Sequence, residues 1–151
     1  MASEIVIEVK GLEELQKTLA KFPQEYDKNV KSAMGGSLAM LQSTARTKAP
    51  YDTGALQASI GSEIVAGMGS EIIGKVGTNI IYGPIQEYGG IIKAKNKPWL
   101  VFQTKDGFWH SVKSVFIPAH PYMRPTMAEK AGQVVRMIEE GIAKVLRSLG
   151  L

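Results

Sequence analysis

An α+β fold, with a small antiparallel sheet packed by a long kinked N-terminal helix and a C-terminal helix, follows from three features of the sequence. The first is a short alternating strand, in which Ile5, Ile7 and Val9 stand between Glu4, Glu8 and Lys10. The second is a pair of long apolar stripes at helical spacing, one toward each end of the chain. The third is a central stretch where β-prone segments alternate with Gly-rich and Asp-Gly connections, the pattern of antiparallel hairpins.

Taken in order, the first strand ends at Gly11 and a helical run begins. Leu12, Leu15, Leu19, Phe22, Tyr26, Val30, Met34, Leu38, Leu41 and Ala45 recur three or four residues apart. Pro23 is expected to break or kink this run, because it lacks an N–H and clashes with the preceding turn, and Gly35-Gly36 is a second weak point. Ala49-Pro50 closes the helix, since a residue before proline is pushed out of the α region. Extended segments at 62–66 and 71–76 flank GMGS and read as one hairpin. A second hairpin is expected from 99–104 and 108–117 around Lys105-Asp106-Gly107, with positive φ at the Asp-Gly pair. The last helix carries Met127, Ala131, Val134, Ile138, Ile142, Val145 and Leu149 on one face. Thr126 with Glu129 reads as a capping box at its start, and Gly150 as its stop.

With 44% apolar residues, the 151-residue chain is expected to form one domain over 1–151. It has no cysteine, which excludes disulfides, thiolate metal sites and cysteine nucleophiles and fits folding in a reducing cytosol. The start lacks a basic segment followed by an apolar one, and no apolar run has membrane-spanning length. A soluble, non-exported chain with no membrane partner is expected. The net charge of +4 permits an acidic or nucleic-acid partner without selecting one.

Asp52-Thr53-Gly54-Ala55 matches the catalytic signature of retroviral-type aspartic proteases. That chemistry needs two carboxylates sharing one proton, hence a homodimer in a chain this short, and an apolar strand leading into the Asp. Ile72-Ile73-Gly74 superficially supplies the later element, but STARTKAP precedes Asp52 and too little chain separates it from Gly74 for a flap. A structural turn fits better. Pro50 stops the helix, the Asp52 carboxylate accepts main-chain N–H bonds in an Asx-turn, Gly54 takes a conformation closed to other residues, and Leu56 and Ile60 anchor the segment. His110 and His120 have no partner at metal spacing and read as surface or supporting residues. GMGSEI lacks the setting of a dinucleotide loop, and no nucleophile elbow or Walker loop occurs. No catalytic, metal or cofactor site is predicted.

Two further stretches are informative. In VGTNIIYGPIQEYGG, residues 76–90, Ile81, Ile85 and Tyr88 are expected to share a face of a short helix ending at Gly89-Gly90. In IPAHPYMRP, residues 117–125, three prolines make a stiff loop that would display Tyr122 and Arg124 to a partner. Glu87 and Arg124 are expected to pair. In an assembly of like subunits the candidate interface residues are Pro121, Tyr122, Arg124 and Pro125 on one side and, on the other, the exposed side of the long helix or Trp99 and Trp109 of the hairpin. Lys93, Lys95 and Lys97 alternate along an extended segment and would face DNA, an acidic neighbour or solvent together.

Three elements in this order resemble the tail-completion or head-tail joining proteins of long-tailed phages, the gene-product-ten-like family of HK-type phages. Pro50, Asp52, Thr53, Gly54, Leu56, Ser59 and Ile60 match its first pattern; Tyr82, Glu87, Tyr88 and Gly89 its second; Pro121, Tyr122, Arg124 and Pro125 its third. The stretch IIKAKNKPWLVFQTKDGFWHSVKSVF is longer than in the smallest members. The resemblance implies a non-enzymatic virion protein of a phage or prophage, made in the host bacterial cytoplasm and forming a ring, sixfold, at the tail end facing the head. Its implied partners are other copies of itself, the tail tube or tail terminator protein, head-completion or connector proteins, and passing phage DNA. A free-standing basic nucleic-acid-binding protein is the alternative, with no recognition motif beyond its charge.

Overall fold

A computed structural model of the chain describes residues 3–9, 23–67 and 71–148. In chain order the elements are β1 (Ser3–Val9), α1 (Pro23–Lys48), α2 (Ala55–Ser59), β2 (Gly61–Ala66), β3 (Ile72–Thr78) and α3 (Gly83–Tyr88). Then come β4 (Gly90–Lys93), β5 (Leu100–Gln103), β6 (Trp109–Val112), β7 (Ser114–Ile117) and α4 (Met123–Ser148). The architecture is α+β, as the periodicities predict.

Three strands form an antiparallel sheet in the order β1-β3-β2. Its register sets Ile5 opposite Val76 and Ile7 opposite Gly74, so the alternation of β1 turns Ser3, Ile5 and Ile7 inward and leaves Glu4, Val6 and Glu8 outside. Helix α1, about 39 Å long by its 26 residues, lies across the inner face. Close approach is built in: a Cβ on Gly74 would come within 2.7 Å of Met34 Sδ. Helix α4 packs along α1 by the same means, since a Cβ on Gly141 would meet that of Ala33 at 2.7 Å and one on Gly36 would meet Met137 Cε at 2.9 Å. Gly35-Gly36, expected as a weak point, thus lies inside an unbroken helix, where the small size of Gly36 serves the crossing. Tyr26, Val30, Met34, Leu38, Leu41 and Ala45 from α1 form one core with Val134, Ile138 and Val145 from α4.

Some expectations change. Helix α1 is described from Pro23 onward; the run Leu12 to Phe22 ahead of it, on which the expected break or kink at Pro23 turns, lies outside the described residues, as do Gly11, the GMGS tip at 68–70, Leu149 and Gly150. The segment 108–117 is not one strand. It breaks at Lys113, and its halves serve different ladders, β6 with β5 and β7 with β4. The 104–108 turn has positive φ only at Gly107 (88°), with Gly107 N–H donating to Thr104 O at 2.9 Å, so Asp106 stays in ordinary backbone space. This is a three-residue loop in which the glycine alone supplies the left-handed position. Thr126 does not cap α4. The helix starts at Met123, Thr126 Oγ1 donates to Tyr122 O, and Glu129 pairs instead with Lys48 at 2.8 Å and Lys130 at 2.9 Å.

Candidate functional site

The three sequence elements meet at one side of the core, and the first begins where α1 stops. Ala49 N–H still donates to Ala45 O, Pro50 ends the ladder, and Gln57 Nε2 reaches back to Ala49 O at 3.1 Å. Gly54 then adopts φ 80°, which a side chain would make costly, and α2 begins. The hydroxyl that accepts at this turn is Thr53 Oγ1, from Ala55 N–H at 3.3 Å. Asp52 does not make the expected Asx-turn. Its carboxylate is 72% exposed and pairs with Lys105 Nζ at 2.8 Å. The short Thr hydroxyl does the local work because it can bond two residues on while staying close to the backbone, which frees the acid to reach solvent and the 104–108 turn.

Leu56 and Ile60 are buried as expected. The Ile60 carbonyl takes three donors, Gln42 Nε2 at 3.1 Å, Arg46 Nε at 3.1 Å and Arg46 Nη2 at 2.7 Å, which ties the end of the turn back to α1. Ser59 Oγ lies 2.6 Å from Thr78 Oγ1, and the latter accepts from Ile80 N–H at 3.1 Å. This part-buried hydroxyl pair joins the first element to the second.

In the second element the inward residues of α3 are Gly83 and Glu87, one turn apart. The expected apolar face does not form: Ile81 precedes the helix and is 94% exposed, and Tyr88 is exposed. Gly83 is small because Thr78 Cγ2 would lie 2.7 Å from any Cβ there. Pro50 to Leu56 on one side, with Tyr82 and Gln86 on the other, line a surface cleft of about 270 Å³.

Glu87 is the node. Fully buried, its carboxylate accepts main-chain N–H bonds from Tyr122 at 2.7 Å, Met123 at 2.8 Å and Arg124 at 3.0 Å, the free amides at the start of α4. Arg124 Nε also donates to Glu87 Oε1 at 3.0 Å, and Arg124 Nη2 to the Glu87 carbonyl at 3.0 Å. The guanidinium lies over the Tyr88 ring, 4.9 Å from its centroid. Burial by itself would raise the Glu87 carboxyl, but the three amides and Arg124 outweigh it and hold it below the usual glutamate range. A carboxylate from another helix therefore does what the Thr126 capping box was expected to do.

Tyr122 corrects a second expectation. It is not displayed on the proline-rich loop but wholly buried, and burial raises its phenol above the ordinary value. The loop is held by hydrogen bonds as well as by prolines, with His120 N–H donating to Gln86 O at 2.6 Å. Pro121 and Arg124 remain exposed, and Pro125 is partly covered. Trp99 and Trp109 are on the surface. Lys93 ends β4 while Lys95 and Lys97 lie in bends, so the three share no common strand face. His110 stacks on Phe102, with ring centroids 5.7 Å apart. Among the described residues, no group of three or more His, Cys, Asp or Glu is placed to hold a metal, and no helix is long and apolar enough to cross a membrane.

The family model described as "Bacteriophage HK97-gp10, putative tail-component" matches residues 13–89. The chain belongs to this family. No curated protein and no solved structure matches it. Membership in the HK97-gp10-like family makes the chain a bacteriophage tail component and so a part of the virion. The family match contains the first two motif elements and the cleft between them, and it ends at Gly89. The partners of the Glu87 carboxylate, at 122–124, lie beyond it. Sequence reasoning paired Glu87 with Arg124 but missed its capping role and missed Thr78, Gln42, Arg46 and Gln57 altogether. A signal existed for the first: a lone acid in a short helix before Gly89-Gly90, and a later helix with proline at position 121 and no Ser, Thr, Asp or Asn beside it.

Proposed function

We propose that this tail component forms a ring, sixfold in its resemblance to neck proteins, at the head-proximal end of the tail. There it takes part in tail completion and head-tail joining. The observation that carries the reading is the family match over 13–89, whose two motif elements close one cleft and are clamped to α4 through Glu87. A rigid body of this kind suits a structural part that must keep its shape under load. The exposed Trp99, Trp109, Pro121 and Arg124 are its candidate contacts with other copies, with the tail tube or tail terminator protein, and with head-completion or connector proteins. Lys93, Lys95 and Lys97 are its candidate contacts with passing DNA or with an acidic neighbour. The chain is made in the host bacterial cytoplasm and joins the virion there.

The test is disruption of the gene in the phage or prophage that carries it, followed by electron microscopy of the lysate. Filled heads and separate, finished-length tails are expected, with joining restored when the chain is supplied. Intact joined virions, or an absence of tails, would overturn the reading. The lysine-rich stretch 93–113 favours one rival, a free-standing nucleic-acid-binding protein, which predicts steeply salt-dependent DNA affinity in an isolated monomer.

A further inference from the structure

Residues 90–117 form an arm built from β4, β5, β6 and β7, whose main contacts are within its own two ladders. A two-stranded ladder is marginal in water unless another surface covers it. Both ladders nevertheless turn large apolar groups outward. Ile91 stands opposite Phe116 in the first, 60% and 69% exposed. In the second, Val101 and Trp109 share a face by their register, with Phe108 and Trp99 exposed nearby. Exposed apolar surface on this scale marks an interface. The arm also carries five lysines against Asp106 alone, which is the whole of the chain's net charge of +4. The remainder of the chain is therefore neutral overall.

The complement of this surface lies on the same chain. The outer face of the sheet presents Glu4, Val6 and Glu8 from β1, Ile73 and Lys75 from β3, and Glu63 and Val65 from β2. Three acids stand there against one lysine, with apolar groups between them, and Glu4, Val6, Glu8 and Glu63 are exposed. Among the described residues α1 and α4 both pack on the other face, and the arm ladders do not settle on this one. We infer that the arm of one copy docks on the outer sheet face of the next. DNA would engage the lysines but would leave Ile91, Phe116 and Val101 without apolar cover, whereas a protein face carrying Val6, Val65 and Ile73 among glutamates satisfies both. Arm and sheet are different surfaces, so the contact is head-to-tail and repeats from copy to copy; it closes into a ring where the rotation permits. The inference rests on the ring reading above and names its lateral contact.

Two charge-reversed variants test it, Lys93→Glu/Lys95→Glu/Lys97→Glu in the arm and Glu4→Lys/Glu63→Lys on the sheet. Each is checked for native circular dichroism and followed by sedimentation velocity beside the wild type, up to the solubility limit. Each alone is expected to self-associate at least tenfold more weakly. An equimolar mixture is expected to recover assembly, because each reversed arm then meets a reversed face and each native arm a native face, opposite in sign in both pairings. Rings in the wild type that survive either reversal, or a mixture that fails to recover, overturn this contact and leave the ring reading standing. Swap-dependent open filaments support the contact and remove the ring. A wild type that stays monomeric throughout, or that associates only with added DNA, overturns both.

Discussion

Replacing Glu87 by Gln removes one charge from the buried junction of α3 and α4 and changes almost no volume. In the native chain the two carboxylate oxygens accept three main-chain N–H bonds and the Arg124 Nε bond. The amide keeps one acceptor oxygen but turns an NH2 toward the remaining donors, so part of the set is left facing a donor in a buried site. Loss of an N-terminal cap costs about 1 kcal/mol, loss of a negative charge at a helix start up to about 2 kcal/mol in buried geometry, and leaving a buried donor unpaired about 1–3 kcal/mol. These overlap, and a total near 2–3 kcal/mol is the consistent expectation. With a urea slope of about 1–3 kcal/mol per molar for a chain of this size, the midpoint should fall by roughly 1 M. The pH dependence supplies the sharper check. The folded-state carboxyl is held below its ordinary 4.5, so its contribution is fully present above that value and is lost as pH falls through the folded value. The gap between wild type and Glu87→Gln should therefore be constant from pH 7 down to about 4.5 and then close. A gap below about 0.5 kcal/mol at neutral pH, or one unchanged down to pH 2, would refute the reasoning.

Gly89→Ala should be the costlier of two glycine substitutions, about 2–3 kcal/mol. At φ 69° and ψ −179° its Cβ would meet Ala119 N at 2.8 Å and Ile117 O at 3.0 Å, both of them backbone atoms that cannot swing away. Gly54→Ala at φ 80° meets only the Tyr51 ring, at 3.2 Å, and should lose about 1–2 kcal/mol; the reverse order by urea denaturation would contradict this account. Asp52→Asn should leave the urea midpoint unmoved, because it removes only an exposed pair with Lys105. Glu129, hydrogen-bonded to Lys48 and Lys130, should titrate at about 2 by carboxyl NMR and move up in Lys48→Gln, with the shift fading in molar salt.

The parts of this fold that could be read from sequence are those whose signal is local. The alternation of β1, the stripe of α1 from Tyr26 to Ala45, that of α4 from Met127 to Val145, and the pairing of β2 with β3 each repeat a physical period over neighbouring residues, and each of these appears where that period placed it. Gly54 was legible for the same reason, since Pro50 before it and Leu56 after it leave few ways to turn. The misreadings have a common cause in partners far along the chain. Thr126 and Glu129 look like a capping box until a carboxylate 35 residues upstream takes the amides. Tyr122 looks like a displayed aromatic because its proline neighbours are polar-loop residues, yet its ring enters the core. The break at Lys113 is invisible locally because both halves are β-prone, and only the pairing of β7 with β4 across more than twenty residues distinguishes them.

The same long-range contacts explain why the arm is free to be long. Its entry and exit are fixed beside each other: Gly90 pairs with Ile117, Gly89 packs against Ala119, and His120 N–H is bonded to Gln86 O at 2.6 Å. From there the chain passes directly to Glu87, which fastens the start of α4. Everything between 90 and 117 therefore leaves and re-enters the body at one point, touches it elsewhere through the exposed Lys105–Asp52 pair, and contributes no residue to the buried core. Adding or removing residues there costs only a slowly growing loop entropy, about 0.6 kcal/mol for each doubling of length. The body that belongs to the family match and the clamp that completes it stay in place whatever the arm becomes. A chain organised this way can keep one rigid scaffold and change its contacts by changing the arm alone, and the apolar, lysine-rich composition found there is what contact with a neighbour requires.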